Sequence, residues 1–518
     1  MSAEGPSADR WRQGPSGLIL EMSSWRSFHE RASWSIPTAF SGCAWLPEYR
    51  EDTSPDERNQ LHLDLVTPSL SIIATAVVML SDKAKCLVRL DSHADLEVSL
   101  GTSARTLAES LAPWIIEHLG RHTIDFLVRL QSGSEERWTH DHLKDSPPAE
   151  RILTAGPLIG PREVAYVTEA TLHGWNDRHS DFIATFEEEF AECVGTRFGM
   201  ATSSCTGALH LALLALGVGP GDEVVVPSTS WVATGAVVRY VGATPVFVDV
   251  HDTSWTMLPE ALSDAITPRT RAVLPVHLYG VPADMPEICR IAQNAGIAVV
   301  EDAAPAVGAS ISNRPAGSFG DAAAFSFQGA KLLVTGEGGM LVTSDAELRD
   351  AAWKQQDHGR RPGTFWIDEV GRKYKMSNAT AALGLAQLRS LDLQVAKKRE
   401  INRWYREALG DVPGVTFQSE RPDSKAIYWM TSVEFAGGGE QLDQVIGALR
   451  RAGIDTRPVF PPMSAFPIWG STAGQVHSQD VARRIGLGAI NLPSGVRLTQ
   501  ASVHRVAEVI SGVVSRDA

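Results

Sequence analysis

Cysteine is scarce in this chain: Cys43, Cys86, Cys193, Cys205 and Cys289 make five in 518 residues, an odd number with no Cys-x-x-Cys among them. Their spacing gives neither a disulfide framework nor a paired-cysteine metal site, which fits a reducing compartment. Long apolar runs are missing as well, and the longest fall well short of the ~18 residues that a membrane-spanning helix needs. The opening stretch MSAEGPSADRWRQGPSG lacks the charged-then-apolar order of a secretory leader, so the expected location is the cytoplasm. Positive charge is in deficit. A formal net charge of -14 argues against nucleic acid or an anionic membrane as the main partner. Internal repeats and low-complexity tracts are also absent.

What remains is an ordinary globular composition, 43% hydrophobic and 21% charged, in a chain too long for one hydrophobic core. Residues 1–58, rich in Ser, Pro, Trp and charge, show no sustained periodicity and read as irregular chain. LHLDLVT, SIIATAVVML, KCLVRLD and TIDFLVRLQ then read as strands. Between the last two, SARTLAESLAPWIIEHLG reads as a helix with a possible Ser103 cap, kinked by Pro113. Together these predict a small α+β module over 1–150. The stretch HLKDSPPAERILTAGPLIGPRE is a Pro/Gly-punctuated boundary. Beyond it, amphipathic helices alternate with the apolar runs VVVPS, TPVFVDV, RAVLPVHL, IAVVEDAA and DAAAFSF. That alternation predicts a mostly parallel α/β sheet covered on both faces. A long helix over roughly 377–411 and a smaller α/β region follow, giving expected domains of 151–395 and 396–518.

In open sheets of this kind ligands gather beyond the carboxyl ends of the strands. Four such ends carry chemistry. GMATSSCTGALHLALLAL sets Ser203, Ser204, Cys205, Thr206 and Gly207 at a helix N-terminus, as a phosphate site or as plain capping. VVVPSTSWVATGAVV places Trp231 after a strand, as a flat stacking surface or as core. GIAVVEDAA ends a strand on Glu301 and Asp302, which need positive partners if buried. FSFQGAKLLVTGEGG offers one amine, Lys331, five residues after Ser326; alone it is equally a snorkelling surface lysine. Phosphate donors, an aromatic plate, a carboxylate and a secluded amine are the four parts that pyridoxal phosphate needs.

The stretches FEEEFAECVGTRFGMATSSCTGALHLALLALGVGPGDEVVVPSTSWVATGAVV, VVEDAAPAVGA, GSFGDAAAFSFQGAKLLVTGEGGMLVTSD, YKMSNATAALGLAQL and INLPSG resemble the DegT/DnrJ/StrS family of pyridoxal phosphate-dependent sugar aminotransferases, among them its perosamine-synthase-like members. The resemblance covers roughly 155–515. It implies the fold-type I aminotransferase architecture: a large, mostly parallel α/β domain, a small C-terminal domain, and a homodimer with active sites at its interface. It implies that Lys331 bears the Schiff base, Asp302 meets the pyridine nitrogen and Trp231 covers the ring. Ser326 and the turn Cys205-Thr206-Gly207 fall at phosphate-binding positions. Three positions depart from the common pattern. The phosphate turn has Cys205-Thr206-Gly207 where many members have Gly-Thr-Ala, Pro305 stands where a side chain often contacts the ring hydroxyl, and Lys373 stands where an Asn often reaches the neighbouring subunit's phosphate.

The activity implied is transfer of an amino group from an amino acid, L-glutamate by resemblance, to a keto sugar that is commonly nucleotide-linked. A cyclitol ketone is the alternative acceptor, and a dehydratase or a catalytically silent relative are the alternative outcomes. Lys331 weighs against the dehydratases, which have histidine there. Candidate substrate residues are His277 and Tyr279 in VHLYG, His358, Arg360, Arg361 and Trp366 in DHGRRPGTFWID, and Arg457. Each histidine reads equally as a satisfied loop residue. His140 and His142 make a poor metal signal, and no metal is expected.

Overall fold

The computed structural model describes residues 151–472 and 478–517 and, before them, the backbone of paired strands between Arg12 and Thr139. The chain divides into two compact units, Met1–Ala149 and Glu150–Ala518.

In the first unit, seven strands pair in chain order: Ile36–Pro37, Ala44–Pro47, Gln60–Val66, Ile72–Leu80, Lys85–Ser92, Thr123–Arg129 and Glu135–Thr139. Neighbours are antiparallel except Lys85–Ser92 and Thr123–Arg129, which run parallel. The four apolar runs read as strands coincide with the third to sixth of these. Within 1–58, read as partly irregular, short strands lie at Arg12–Gly14, Gly17–Ile19, Ile36–Pro37 and Ala44–Pro47. The helix expected over 103–120 and the pair His140 and His142 lie outside the described residues.

The second unit is built on seven strands: β1 (Phe198–Thr202), β2 (Glu223–Pro227), β3 (Thr244–Val248), β4 (Thr270–Val273), β5 (Ala298–Asp302), β6 (Ala322–Ser326) and β7 (Gly339–Thr343). Their order across the sheet is β1-β7-β6-β5-β4-β2-β3. From β3 to β6 every pair is parallel, and β7 alone runs the other way between β6 and β1. Alternation along β2 explains its unbroken valines. Val224 and Val226 face one core with Leu209, Leu213 and Val237, while Val225 faces another with Val246, Met285 and Ile288. A strand buried on both faces needs no polar side, hence the run VVV.

Helices α1 (Pro161–His173), α2 (Asp181–Val194), α3 (Cys205–Ala215), α4 (Ala233–Tyr240), α5 (Pro259–Ala265), α6 (Met285–Ala295) and α7 (Ala346–Gln356) accompany this sheet. The helix expected over 377–411 is two, α8 (Asn378–Leu388) and α9 (Leu391–Leu409), divided at Arg389 and Ser390. The domain boundary expected after 395 therefore falls inside α9. Beyond it, β8 (Val415–Phe417), β9 (Thr431–Phe435), β10 (Arg457–Pro458) and β11 (Ala489–Leu492) form a smaller antiparallel sheet in the order β8-β9-β11-β10. Its core joins Ile401, Tyr405 and Leu409 of α9 to Val445 and Leu449 of α10 (Gly438–Arg451) and to Val506 and Ile510 of α12 (Gln500–Asp517), with α11 (Asp480–Gly488) between them in the chain. No helix among the described residues is long and apolar enough to cross a membrane.

Candidate active site

Because β1, β5 and β6 run one way and β7 the other, Thr202, Asp302, Ser326 and the start of β7 share one edge of the sheet. Gly339 pairs with both Thr202 and Ser326. A methyl group on Gly339 would sit 2.5 Å from the backbone nitrogen of Cys205 and 2.8 Å from the carbonyl oxygen of Phe325. Only glycine lets the first turn of α3 come down onto the strand edge. Ser204 caps that helix, its Oγ accepting from the amide of Gly207 at 3.0 Å, a contact worth about 1 kcal/mol. Gly207 is itself a close approach, since a Cβ there would lie 3.1 Å from Tyr374 Cγ. The first-turn amides of α3 and the half-buried Thr206 thus face the edge that Ser326 ends. Burial pushes the Cys205 thiol well up, so it is a neutral S–H in this turn.

Asp302 is 5% exposed. Its Oδ2 accepts from Thr234 Oγ1 at 2.6 Å, with Ser230 Oγ 2.8 Å from that hydroxyl, and its Oδ1 accepts from the amide of Ala304 at 3.2 Å. Among the described residues no cation forms an ion pair with it. Burial raises its pKa, opposed by the Thr234 and Ala304 hydrogen bonds and by the charge of Lys331. A carboxylate so placed has room for one cationic N–H. The preceding Glu301 points to the other side of the strand and is saturated. It accepts from the amides of Gly317, Phe319 and Gly320 at 2.8, 2.6 and 2.8 Å and from His277 Nε2 at 3.0 Å.

Lys331 lies in the tight connection from β6 to β7, held where its own amide donates to Gln328 O at 2.8 Å and the amide of Gly329 donates to Gly336 O at 2.9 Å. The residue keeps part of its surface accessible while its amine sits among protein atoms, 3.8 Å from the centroid of the Trp429 ring. Burial draws its pKa down to about 8, against the pull of Asp302. An amine near 8 spends an appreciable fraction of its time neutral at physiological pH, as a nucleophile or proton acceptor must.

The other expected residues divide. Trp231 is 63% exposed, its ring 5.7 Å from Phe460. Lys373 is exposed on a segment that runs beside the phosphate turn: Lys375 bridges Thr202, and the amide of Ser203 donates to Tyr374 O at 2.6 Å. His277 and Tyr279 are corrected, because both are framework. His277 is fully buried, its Nδ1 accepting from the amide of Ala283 at 3.1 Å, which makes Nε2 the donor to Glu301. Tyr279 is 1% exposed and its hydroxyl accepts from the amide of Phe460 at 3.1 Å. Arg360 is tied to Asp357 and Arg361 to Asp368, whereas His358 is exposed. Arg457 is exposed on β10, 3.9 Å from Asp455. Pro305 is buried and offers no N–H. Two residues were missed: Thr234, whose hydroxyl sits one turn after Trp231, and Trp429. Among the described residues no cluster of His, Cys, Asp and Glu is suited to a metal ion.

A sheet with one reversed strand, a helix N-terminus on its edge, and a carboxylate and an amine at the ends of neighbouring strands define the fold-type I aminotransferase class. The sequence comparisons agree. Residues 157–511 match the model of the DegT/DnrJ/EryC1/StrS aminotransferase family. The GDP-perosamine synthase of Caulobacter vibrioides is 39% identical over 367 residues, covering 70% of this chain and 98% of that protein. EpsN of Bacillus subtilis, which carries pyridoxal phosphate dependence in its name, is 34% identical over 370 residues, covering 70% and 95%. The structure of DesI in the presence of its TDP-sugar product superposes with a TM-score of 0.65 at 30% identity, covering 72% of this chain and 95% of that one. The chain belongs to the DegT/DnrJ/EryC1/StrS aminotransferase family.

Proposed function

We propose that this enzyme uses pyridoxal phosphate to move an amino group from L-glutamate to a keto sugar carried on a nucleotide, acting as a cytoplasmic homodimer. The observation that carries the reading is the meeting of Lys331, Asp302 and the N-terminus of α3 on one sheet edge. The donor set fits the cofactor: Gly339 opens a cradle that a Cβ would fill, and Asp302 is a buried carboxylate bonded only to neutral donors. The names of the GDP-perosamine synthase and of DesI's TDP-sugar product favour a nucleotide-linked acceptor.

Pyridoxal phosphate supplies an aldehyde that accepts the amino group and a pyridinium ring that withdraws electrons from the bond being broken. The chain does the rest. The amides of Cys205 and Thr206 and the hydroxyls of Thr206 and Ser326 would hold the phosphate, Gly207 giving the turn its close approach, with Lys373 reaching across from a second protomer as a point charge. Trp231 would offer its exposed face to the ring, and Asp302, fixed by Thr234 and Ala304, would hold a proton on the ring nitrogen. Lys331 Nζ would be the group that anchors the cofactor at rest and, once free, the base placed to take a proton from the donor's α-carbon and pass it on; in the return direction the same amine would deliver a proton to the acceptor carbon. Exposed His358, and Arg360 and Arg457 if released from their aspartates, suit substrate carboxylate or pyrophosphate.

Borohydride reduction of the cofactor-loaded protein, followed by peptide mass mapping, should fix the cofactor on Lys331. A tag on another side chain, or on none, overturns the reading. Glutamate should then bleach the visible cofactor band, which a silent relative would leave unchanged, and a panel of nucleotide keto sugars and cyclitol ketones names the acceptor.

A further inference from the structure

We propose that Trp429 is a positioning residue for Lys331, its indole face bearing on the amine, and that the buried Lys398 anchors Trp429 in that place. The proposal rests on Lys331 being the reacting amine.

Trp429 holds the lysine loop twice. Its ring centroid is 3.8 Å from Lys331 Nζ, and its Nε1–H donates at 2.7 Å to the carbonyl of Ala330, the residue before the lysine. Side chain and main chain of one loop therefore rest on one indole. The indole in turn has no freedom of its own. Tyr279 lies against it at 6.0 Å between centroids, and its carbonyl accepts from Lys398 Nζ at 2.8 Å. The turn that carries Tyr279 is shaped for this contact. Tyr279 adopts φ +53°, and Gly280, at φ +90°, brings its Cα so near that a Cβ would lie 2.8 Å from the amide nitrogen of Trp429. A non-glycine residue in left-handed backbone is a cost that the surrounding contacts must outweigh.

Lys398 is the less ordinary member. On α9 it is 4% exposed, with Nζ donating to the carbonyls of Trp429 and Ser494 at 2.8 and 2.5 Å and, among the described residues, no carboxylate partner. Burial draws its pKa to about 7. A buried amine without a counter-ion is retained only where its contacts matter. Here they join the segment before β9 to the residues after β11, so that neighbouring ends of the small sheet's two central strands are fixed beside Trp429.

A packing role and a positioning role differ in what they do to the amine. A π face within about 6 Å favours the ammonium form, while burial opposes it and the charge of Asp302 favours it as well. The test is the titration of Lys331 in full-length, cofactor-free protein, read by NMR after reductive methylation with 13C-formaldehyde and assigned with Lys331→Arg. Trp429→Leu should lower the Lys331 midpoint by about one unit, and Trp429→Phe, which keeps a π face, by less than half as much. Lys398→Met should lower it by an intermediate amount; no change there would remove Lys398 from the proposal. Should Trp429→Leu fail to fold, protein labelled with fluorinated tryptophan keeps the packing and weakens the ring face, and its midpoint should fall in the same direction. An unchanged midpoint in folded Trp429→Leu, or in the fluorinated protein, overturns the positioning role. The titration reads the amine alone and borohydride mapping reads the covalent link, so a failure of either is distinguishable from a failure of the other.

Discussion

Replacing Gly339 by alanine tests whether the first turn of α3 holds the phosphate. The new methyl would lie 2.5 Å from both Cys205 N and Ser204 C and 2.8 Å from Phe325 O, where ordinary contact begins near 3.4 Å. All three obstacles are backbone, so no side chain can swing aside, and the helix end must lift by about 1 Å from a strand paired on both sides. Overpacking of this kind costs ~1–3 kcal/mol, a loss of several degrees in Tm for a unit of this size. The larger effect should fall on the cofactor. One hydrogen bond to a charged phosphate contributes roughly 1.5–3 kcal/mol, so misdirecting a single amide weakens binding about tenfold to a hundredfold. Absorbance titration of the cofactor-free variant with pyridoxal phosphate, beside thermal unfolding without it, separates the two losses. A folded Gly339→Ala protein whose Kd stays within twofold of the parent would refute the assignment of α3 as the phosphate site.

Asp302→Asn should bind cofactor yet slow the half-reaction with glutamate by on the order of a hundredfold or more, in single-turnover absorbance measurements, because an amide cannot hold the ring proton. His277→Leu should destabilise the second unit by ~2–3 kcal/mol, since it leaves Glu301 a donor short in a dry site, while kcat stays within about threefold; a large loss of kcat without loss of stability would return His277 to the substrate. Glu187 gives a pH test. Burial raises its pKa to about 7, although it accepts from the amide of Ala201 at 2.7 Å. The folded protein therefore binds this proton more tightly than the unfolded chain, and the group's contribution falls as pH rises from about 4.5 to about 7. Glu187→Gln keeps an acceptor for Ala201, so urea unfolding should show a gain of on the order of 1–2 kcal/mol at pH 8 and none at pH 4.

The sheet, with the strand end of Asp302 and the loop of Lys331, was legible because each rests on a local pattern. A short β-branched apolar run followed by a charge, as in GIAVVED, reads as a buried strand meeting a polar edge. The partners that tune those groups lie far along the chain and carry no local mark. Thr234, which bonds Asp302 from 68 residues away, reads as one more hydroxyl in a helix. Trp429 reads as a residue in a junction, since nothing near it announces the lysine loop it meets. His277 misled for the converse reason. A histidine at a strand end looks open to ligand until the chain closes over it, and here Glu301 and Ala283 occupy both nitrogens. The break at Arg389 and Ser390 escaped notice because neither residue bars a helix.

The adjacent carboxylates of β5 bear on how this fold finds its alignment. Successive side chains leave a strand on opposite sides, so Glu301 meets four donors on one side while Asp302 meets the hydroxyl of Thr234 on the other. Sliding β5 by one position would strand both negative charges, one without its nest of amides and the other without its hydroxyl. The doublet thus works as a lock with a single fitting key: the same pairing that stabilises the correctly threaded sheet is the one that delivers Asp302 to the edge shared with Thr202 and Ser326.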